Sequence, residues 1–234
     1  MSNYILKIVD DLSKFQERVD ELNATTSYEY VKHTVADLKR TLIANKDLVG
    51  LCAPQIGVNL RIFCIKTAND KVRAFLNPLI VSGEGLHLSR EVNPSFHSKQ
   101  FIIPRKDKIH VAFQEVNGEP NSETYSGAYA EIVQQMIEML DGILLSDYGL
   151  DLDDIGGPEA FDKASDDDKQ KLIQMYLDSL KNISSEFKKD IESNPDLKKI
   201  NDNIEFITKY LEGDIKPVDK EGNIVEPKKK EEDK

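Results

Sequence analysis

Apolar side chains recur at helical spacing in two stretches of the chain. The first stretch lies between residues 28 and 46, and its apolar positions are Val31, Val35, Leu38 and Leu42. The second runs from about residue 127 to residue 146, and its apolar positions are Ile132, Met136, Met139, Leu140 and Ile143. Steps of three and four residues place side chains on one face of a helix, so both stretches are predicted to be amphipathic helices.

Between these two stretches the pattern is that of β-strands. Residues 60–65 and 72–76 are rich in β-branched and aromatic side chains, which favour strands. Further along the chain, apolar residues alternate with polar or small ones at Ile109, Val111 and Phe113. This alternation is the period of a half-buried strand. The Asn117-Gly118 pair that follows is typical of a tight hairpin turn, so the sequence predicts antiparallel pairing here.

The character of the sequence changes after Gly149. Residues 150–168 are acidic and contain a Gly-Gly-Pro break, which together predict a linker. Ser165 with Asp168 is a variant of the capping box that marks the start of a helix. The helix predicted to follow carries an apolar stripe formed by Ile173, Tyr176, Leu177, Leu180, Ile183 and Phe187.

A second C-terminal helix is predicted to begin at Pro195, because proline is favoured at the first helical position. Its apolar residues are Leu197, Ile200, Ile204, Ile207 and Leu211, and Gly213 is a candidate stop. The two helices would form an antiparallel pair. The charged tail beyond them has too little apolar surface to fold alone. We therefore expect three regions, 1–149, 150–213 and 214–234.

The charge balance argues against nucleic acids and membranes as partners. The 31 Lys and Arg residues are outnumbered by 42 Asp and Glu residues, which gives a net charge of −11. Phosphate groups are bound by clustered Lys and Arg, so an acidic surface disfavours them. No apolar run approaches the roughly 18 residues that a membrane helix needs. The N-terminus lacks the basic and apolar regions of a secretory signal, and a cytoplasmic location is therefore expected.

Two motifs make the chain resemble the peptide deformylase family over about residues 4–147. Gly50–Gly57 matches the family's Gly-Leu-x-Ala-Pro-Gln-x-Gly motif. Gln134–Gly142 takes the place of the family's Gln-His-Glu-x-x-His-Leu-x-Gly helix, which binds the metal. The resemblance implies an α+β fold of antiparallel sheets around a central helix, here with a C-terminal helical extension and a charged tail. It also implies that Gln55 would donate to the oxyanion of the attacked formyl group, but a purely structural amide bonded to nearby backbone is the favoured interpretation of Gln55 in this chain.

The family's second motif, Glu-Gly-Cys-Leu-Ser, can be placed on this chain in two ways. One register begins at Glu84. The better register spans Glu91–Phe96, because a strand that ends at Arg105 then falls where the family has a hydrophobic-x-Arg strand. In that register Asn93 replaces the Cys that ligates the metal. Pro94 replaces the Leu and has no N–H to offer to the oxyanion site.

On the predicted second helix, the two His ligands and the catalytic Glu of the family are replaced. Gln135 and Met139 take the two His positions, and Met136 takes that of the Glu that acts as general base. Amide oxygens and thioethers are poor donors for Fe²⁺ or Zn²⁺, so no metal and no cofactor are predicted. Loss of a general base alone typically costs about 10²–10⁴ in rate. No catalytic residue is therefore predicted at the degenerate positions, which are Gln55, Asn93, Gln135, Met136 and Met139.

A relocated metal site is an alternative that the residues leave open. His87 and His97 lie close to the second motif, and Glu84, Glu91 and Glu138 are also available. The two histidines do not have the i, i+4 spacing of a ready chelate on a helix.

Two functions are therefore weighed. The first is a non-catalytic structural component with protein partners, or with self-association through the C-terminal helices, located in the cytoplasm or, if phage-encoded, in a virion. The apolar stripe on residues 197–211 offers a surface for such contacts. The alternative is a divergent metal-dependent peptide deformylase or a related amide hydrolase. The replaced ligands favour the first function.

Overall fold

The computed structural model describes residues 6–187, except residues 16, 68–70 and 97–98. Three predictions lie outside the described residues: the second C-terminal helix over residues 197–211, the charged tail 214–234, and any role of His97.

The described chain forms eight strands, five α-helices and several short 3-10 helices. In chain order the main elements are α1 (Tyr28–Ala44), β1 (Gly50–Cys52), β2 (Ile62–Lys66), β3 (Val72–Glu84), β4 (His87–Val92), β5 (Gln100–Arg105), β6 (Lys108–Gln114), β7 (Pro120–Ser126), α2 (Ala128–Leu140), α3 (Leu145–Tyr148), β8 (Leu150–Asp151), α4 (Pro158–Lys163) and α5 (Asp166–Phe187). The 3-10 helices near the site are Ala53–Ile56 and Pro94–Phe96.

The strands form two antiparallel sheets. The larger sheet has five strands in the order β1-β2-β3-β6-β7, and the smaller has three in the order β4-β5-β8. Strand β1 is therefore an edge of the larger sheet, and β4 is an edge of the smaller one. The α+β class predicted from the sequence is confirmed by this arrangement.

Helix α2 is the central helix, since it lies between the two sheets. Two successive residues of β2 show which helix covers each face of the larger sheet. Phe63 joins the buried cluster that contains the apolar face of α2, whereas Cys64 joins the cluster beneath α1. Both faces of the larger sheet are thus covered, which is why β2 is a continuous apolar run rather than an alternating one. Phe101 and Ile103 of β5 cover α2 from the side of the smaller sheet.

The structure confirms both predicted amphipathic helices and the Asn117-Gly118 hairpin between β6 and β7. Strand β3 is longer than predicted, because its pairing with β6 shifts between Leu76 and Leu79 and then continues. Asn77 at this shift has a positive φ of 48° and holds the backbone of Leu22 with both ends of its amide.

The segment after Gly149 is more ordered than the predicted linker. Leu150–Asp151 pairs with β5 as β8, and α4 and α5 follow. Ser165 accepts a hydrogen bond from the Asp168 N–H, as the capping motif predicts. Ile173, Tyr176 and Leu177 of α5 are buried in the same apolar cluster as α2. Among the described residues, no helix is long and apolar enough to cross a membrane.

Candidate active site

The Gly50–Gly57 motif places Gln55 at the bottom of the site. Ala53–Ile56 forms a 3-10 helix that ends at Gly57, whose φ of 78° lies in the left-handed region that glycine favours. Gln55 is fully buried. Its Oε1 accepts from the backbone N–H of Cys52 at 3.0 Å, and its Nε2 donates to Ser95 Oγ at 3.3 Å. A buried amide must satisfy both its ends in this way.

Asn93 follows β4 and faces Gln55. Its Oδ1 accepts from Gln55 Nε2 at 3.1 Å and from the Ser95 N–H at 3.0 Å. Its Nδ2 donates to Gln135 Oε1 at 3.0 Å and lies 3.7 Å from the Met139 sulphur. The structure thus brings together the residues that the sequence placed at the positions of the three metal ligands, and it supports the register that spans Glu91–Phe96.

Glu84, where the other register begins, lies elsewhere. It is at the exposed end of β3 and pairs with Lys108 at 2.7 Å. The relocated metal site has no geometric support either, because Glu91 and Glu138 are both paired with Arg105, whereas Glu84 is paired with Lys108 and His87 contacts Glu131. Within the described part of the chain, no group of three or more His, Cys, Asp or Glu residues could hold a metal ion.

An open groove adjoins the site. It runs between the segment before β1 and the end of β4, and α2 forms its floor. Its volume is about 200 Å³, and its lining includes Val49, Gly50, Val92, Glu131, Gln135 and Met136. Met136, at the position of the family's general base, thus lies in the floor of the groove and cannot accept a proton. A Cβ on Gly50 would lie 2.8 Å from Ile132 Cγ2, so glycine is required where β1 meets α2.

Behind the site lies a buried charged cluster around Arg105. The guanidinium donates to Glu91 through Nε and Nη2 at 2.5 and 2.8 Å, and to Glu138 through Nη1 at 2.5 Å. Tyr148 Oη donates to Glu138 and accepts from Arg105. Burial raises the pKa of Glu138 despite the opposing Arg105 charge. Burial alone would lower the pKa of Arg105, but the charges of Glu138 and Glu91 raise it well above its ordinary value.

Gln135 connects this charged cluster to the site, since its Nε2 donates to Glu91 Oε2 at 2.8 Å. A directed series of hydrogen bonds therefore runs from Gln55 through Asn93 and Gln135 to Glu91. The tertiary contacts hold each donor and acceptor of these amides in one orientation.

A second polar cluster centres on His87 beside the groove. Its Nδ1 lies 2.5 Å from Asp107 Oδ1 and its Nε2 lies 2.9 Å from Glu131 Oε1. Ser89 donates to the other Glu131 oxygen at 2.9 Å. The hydrogen bond to Glu131 is the largest cause of a raised His87 pKa, and the same bond lowers the pKa of Glu131. Glu131 therefore lies ionised at the groove.

The donors present do not fit the metal ion that the family resemblance implies. Hydrolytic Fe²⁺ or Zn²⁺ sites use three anionic or imidazole donors and keep one position open for water. Here the amide oxygens of Asn93 and Gln135 already accept N–H groups, and the Met139 thioether prefers softer ions. We therefore assign no chemical step to a metal at this position.

The groups that join the site to its surroundings were considered only as possible ligands of a relocated metal ion, namely His87, Glu91 and Glu138. Neither the Arg105 cluster nor the His87 cluster was predicted. One signal was available for the first: Glu138 interrupts an otherwise apolar run between Ile137 and Met139, and a charge at such a position needs a buried partner. No comparable signal marks His87, whose partners Asp107 and Glu131 are 20 and 44 residues away in sequence.

Comparisons with known proteins agree with the fold and the motifs. The model of the polypeptide deformylase family matches residues 5–153. The peptide deformylase of Dictyoglomus turgidum is 31% identical over 144 residues, which cover 61% of this chain and 90% of that protein. The peptide deformylase of Desulfotalea psychrophila is 35% identical over 105 residues, 43% of this chain and 62% of that protein.

Solved structures of peptide deformylases are also similar to this chain. The peptide deformylase of Thermotoga maritima superposes with a TM-score of 0.56 at 28% identity, over 62% of this chain and 97% of that one. A probable peptide deformylase from Synechococcus phage S-SSM7 has a TM-score of 0.55 at 26% identity, over 61% of this chain and 99% of that one. The expected deformylase fold is thereby confirmed.

These matches overturn the expectation of a non-catalytic structural component. The relatives are peptide deformylases, so the comparisons favour the catalytic alternative over a pseudoenzyme or a structural protein. Association with a phage or a virion gains no support beyond one similar structure of phage origin. The expectation was wrong because it inferred the role of the whole protein from the replaced ligands alone. The chain belongs to the polypeptide deformylase family.

Proposed function

We propose that this chain hydrolyses an amide at the amino-terminal end of polypeptides, as a divergent peptide deformylase or a related amide hydrolase. The observation that carries the proposal is the family match over residues 5–153, which includes the groove and the intact Gly50–Gly57 motif. Names of relatives suggest the reaction, and the groove of this chain supplies a place for the substrate.

The groove suits an extended peptide. Edge strands β1 and β4 border it on opposite sides, and an edge strand can pair with an added strand through its backbone. Val49 and Val92 are 41% and 58% exposed at the two walls, and such apolar side chains can contact alternate residues of a bound strand. Gln135 and Met136 lie in the groove floor, so the reacting end of the peptide would lie beside them.

The proposal assigns proton transfer to Glu131. Glu91 also lines the groove, but both its oxygens are taken up by Arg105 in a buried pair. Both oxygens of Glu131 also have partners, His87 and Ser89, but this carboxylate lies half-buried at the groove surface and is not paired with an arginine, so it can accept a proton from an attacking water. We expect Glu131→Gln to lower kcat by about 10²-fold or more. His87→Gln keeps the carboxylate in place and should lower kcat far less.

The experiment is hydrolysis of an N-formyl-methionyl peptide by the purified full chain, followed as formate release. Val92→Trp should fill the groove and raise KM by at least about tenfold, the equivalent of roughly 1.4 kcal/mol. Ile43→Trp is the matched control, because Ile43 is an exposed apolar residue of α1 outside the groove. The proposal fails if the folded protein releases no formate, both as purified and after incubation with Fe²⁺, Ni²⁺, Co²⁺ or Zn²⁺.

Two further expectations stay predictions. A cytoplasmic location agrees with a role on newly made polypeptides. Protein partners or self-association through the C-terminal helices is the second, and of these helices the described residues include only α5, which packs on β4 of the smaller sheet. Size measurement of the full chain tests self-association.

A further inference from the structure

We propose that three side-chain amides take the structural place of the metal ion in this member of the family. They belong to Gln55, Asn93 and Gln135, and we call them the amide bridge. The proposal concerns how the site is held together, and it does not rest on the proposed function.

The amide bridge joins three segments that are remote in sequence. Gln55 belongs to the 3-10 helix after β1, Asn93 to the loop after β4, and Gln135 to α2. The hydrogen bonds span 38 residues between the first pair and 42 between the second. A metal ion with ligands on the second and third segments would connect the same parts of the fold, and structural metal sites stabilise proteins by such links.

Within the amide bridge, every hydrogen bond runs in the same direction. The Cys52 N–H donates to Gln55, Gln55 donates to Asn93, Asn93 donates to Gln135, and Gln135 donates to Glu91. Both carboxylate oxygens of Glu91 are then bound by Arg105 as well. The series thus ends on an ion pair whose position is fixed, so no amide in it can reverse without breaking several bonds.

A metal ion would have to displace this arrangement. Gln135 can be reached from the groove, but Asn93 is 3% exposed and Gln55 is fully buried, so an entering ion would lose its water before it met these two amides. The Asn93 Nδ2 group points its N–H bonds at Gln135 and Met139, and a cation is repelled by such a donor. Freeing the oxygens of Asn93 and Gln135 would leave buried N–H groups without acceptors, which is costly. The amide bridge and a bound ion are therefore mutually exclusive.

If the inference is correct, any hydrolysis by this chain uses a water that is activated without a metal ion at this position. The inference and the proposed function can then fail separately. Metal-dependent turnover would support the function and contradict the amide bridge. A protein that has the amide bridge but shows no turnover would support the amide bridge and contradict the proposed function.

The first test measures metal content and thermal unfolding of the full chain. After expression with Fe²⁺, Ni²⁺, Co²⁺ and Zn²⁺ in the medium, the purified protein should hold far less than stoichiometric metal. Its midpoint of unfolding should change by less than about 1 °C with EDTA or with any of these ions, because a ligand that does not bind the native state cannot stabilise it. Retention of stoichiometric metal, with a fall of several degrees on chelation, would overturn the inference.

The second test removes the central amide. Asn93→Leu keeps the side-chain volume but removes the bonds that Asn93 makes with Gln55 Nε2, the Ser95 N–H and Gln135 Oε1, and we expect the midpoint to fall by about 5–10 °C. Asn121→Leu is the matched control, because the Asn121 amide makes two hydrogen bonds that are not buried: it donates to Glu115 and accepts from the N–H of the adjacent Ser122. It should change the midpoint by less than about 2 °C. Equal effects of the two variants would contradict a special role for Asn93.

The third test measures hydrogen exchange of the side-chain amides of the amide bridge in the unmodified protein. In NMR spectra of ¹⁵N-labelled chain, the side-chain N–H protons of Gln55, Asn93 and Gln135 should exchange with water at least about tenfold more slowly than those of exposed Asn117. Exchange at the rate of Asn117 would show that the bridge does not form. This measurement needs no variant to fold.

The fourth test replaces the amide bridge with ligands, through Asn93→Cys, Gln135→His, Met136→Glu and Met139→His together. The variant should bind stoichiometric metal, and its midpoint should rise by several degrees when the metal is added. A folded variant that stays metal-free would show that these side chains do not surround a metal position, and the inference would fall.

Discussion

At the scale of single residues, the site depends on a few buried or half-buried charged side chains. They surround the hydrogen-bonded amides of Gln55, Asn93 and Gln135. Each of these side chains has its partners on another element. Arg105 on β5 binds a carboxylate from β4 and one from α2, and His87 on β4 binds one carboxylate from α2 and one from the turn before β6. Removal of one partner therefore leaves other charges without compensation.

The first prediction concerns Arg105. Arg105→Met should lower the free energy of unfolding by about 3–5 kcal/mol, because Glu91 and Glu138 would stay buried without a counter-charge. Arg73 is a matched control, since it also binds two glutamates, Glu115 and Glu123, but on a partly exposed surface. Arg73→Met should cost about 1 kcal/mol or less. Urea unfolding at pH 7 measures both, and equal losses would contradict the role given to the buried cluster.

The second prediction concerns the pH dependence of His87. Its pKa is raised from an ordinary 6.5, so its contribution to stability is complete below about pH 6.5 and is lost as the pH rises through the higher folded value. Glu131 has a lowered pKa, and its share is present above its ordinary 4.5 and is lost as the pH falls through its folded value. The contact between them is therefore strongest from about pH 5 to 6.5.

Unfolding of wild type and His87→Gln across pH 5–9 tests this. The difference in unfolding free energy should be about 1 kcal/mol near pH 6 and should vanish at alkaline pH. His33→Gln on the exposed side of α1 should show no such trend. A constant difference across the range would argue against the protonated contact.

At the scale of secondary structure, α5 is an integral part of the deformylase-like body, although it lies outside residues 5–153. Its buried face shares a cluster with α2, and the Tyr176 hydroxyl donates to the Tyr148 carbonyl beside the Arg105 cluster. Ile173→Ala should therefore cost about 2–4 kcal/mol of unfolding free energy. Met175, two residues away, is 67% exposed, and Met175→Ala should stay within about 0.5 kcal/mol. Similar effects of the two changes in chemical denaturation would mean that α5 does not pack as described.

The sequence pattern predicted the amphipathic helices, the half-buried strands and the strand that is buried on both faces. Helices α1 and α2 and strand β6 follow from periodicity, because burial on a fixed face repeats along them, whereas β2 follows from its run of β-branched and aromatic residues. Strand β4 was missed. Its inward residues include Ser89 and Glu91, which are polar and whose burial is possible only because Glu131 and Arg105 come from distant parts of the chain. A local pattern cannot contain that information.

The same distinction applies to the site. Motif spacing predicted that Asn93, Gln135 and Met139 lie together in the better of the two registers, the one that spans Glu91–Phe96. It was not sufficient to predict which amide donates to which, because that order depends on Cys52 at one end and Glu91 at the other. The functional expectation failed for a related reason: replaced residues describe one position, whereas the family match describes most of the fold.

At the scale of the whole molecule, the chain combines a deformylase body with an edge-strand groove, a site held by amides, and an appended helix on the smaller sheet. The net charge of −11 should make binding of basic peptides more sensitive to salt than binding of neutral ones. For two N-formyl peptides that differ only in a Lys or a Gln beyond the groove, KM for the Lys peptide should rise several-fold more between about 0.05 and 0.5 M salt. Parallel salt dependence would show that the acidic surface does not influence substrate capture.

The most direct test of the account is turnover of an N-formyl-methionyl peptide measured against metal content in the same samples. Protein dialysed to different metal-to-chain ratios would be assayed for formate release at constant chain concentration. We expect a measurable rate that does not change with the ratio, because this chain belongs to the family while amides hold its site. A rate proportional to bound metal, or no formate release at any ratio, would contradict it.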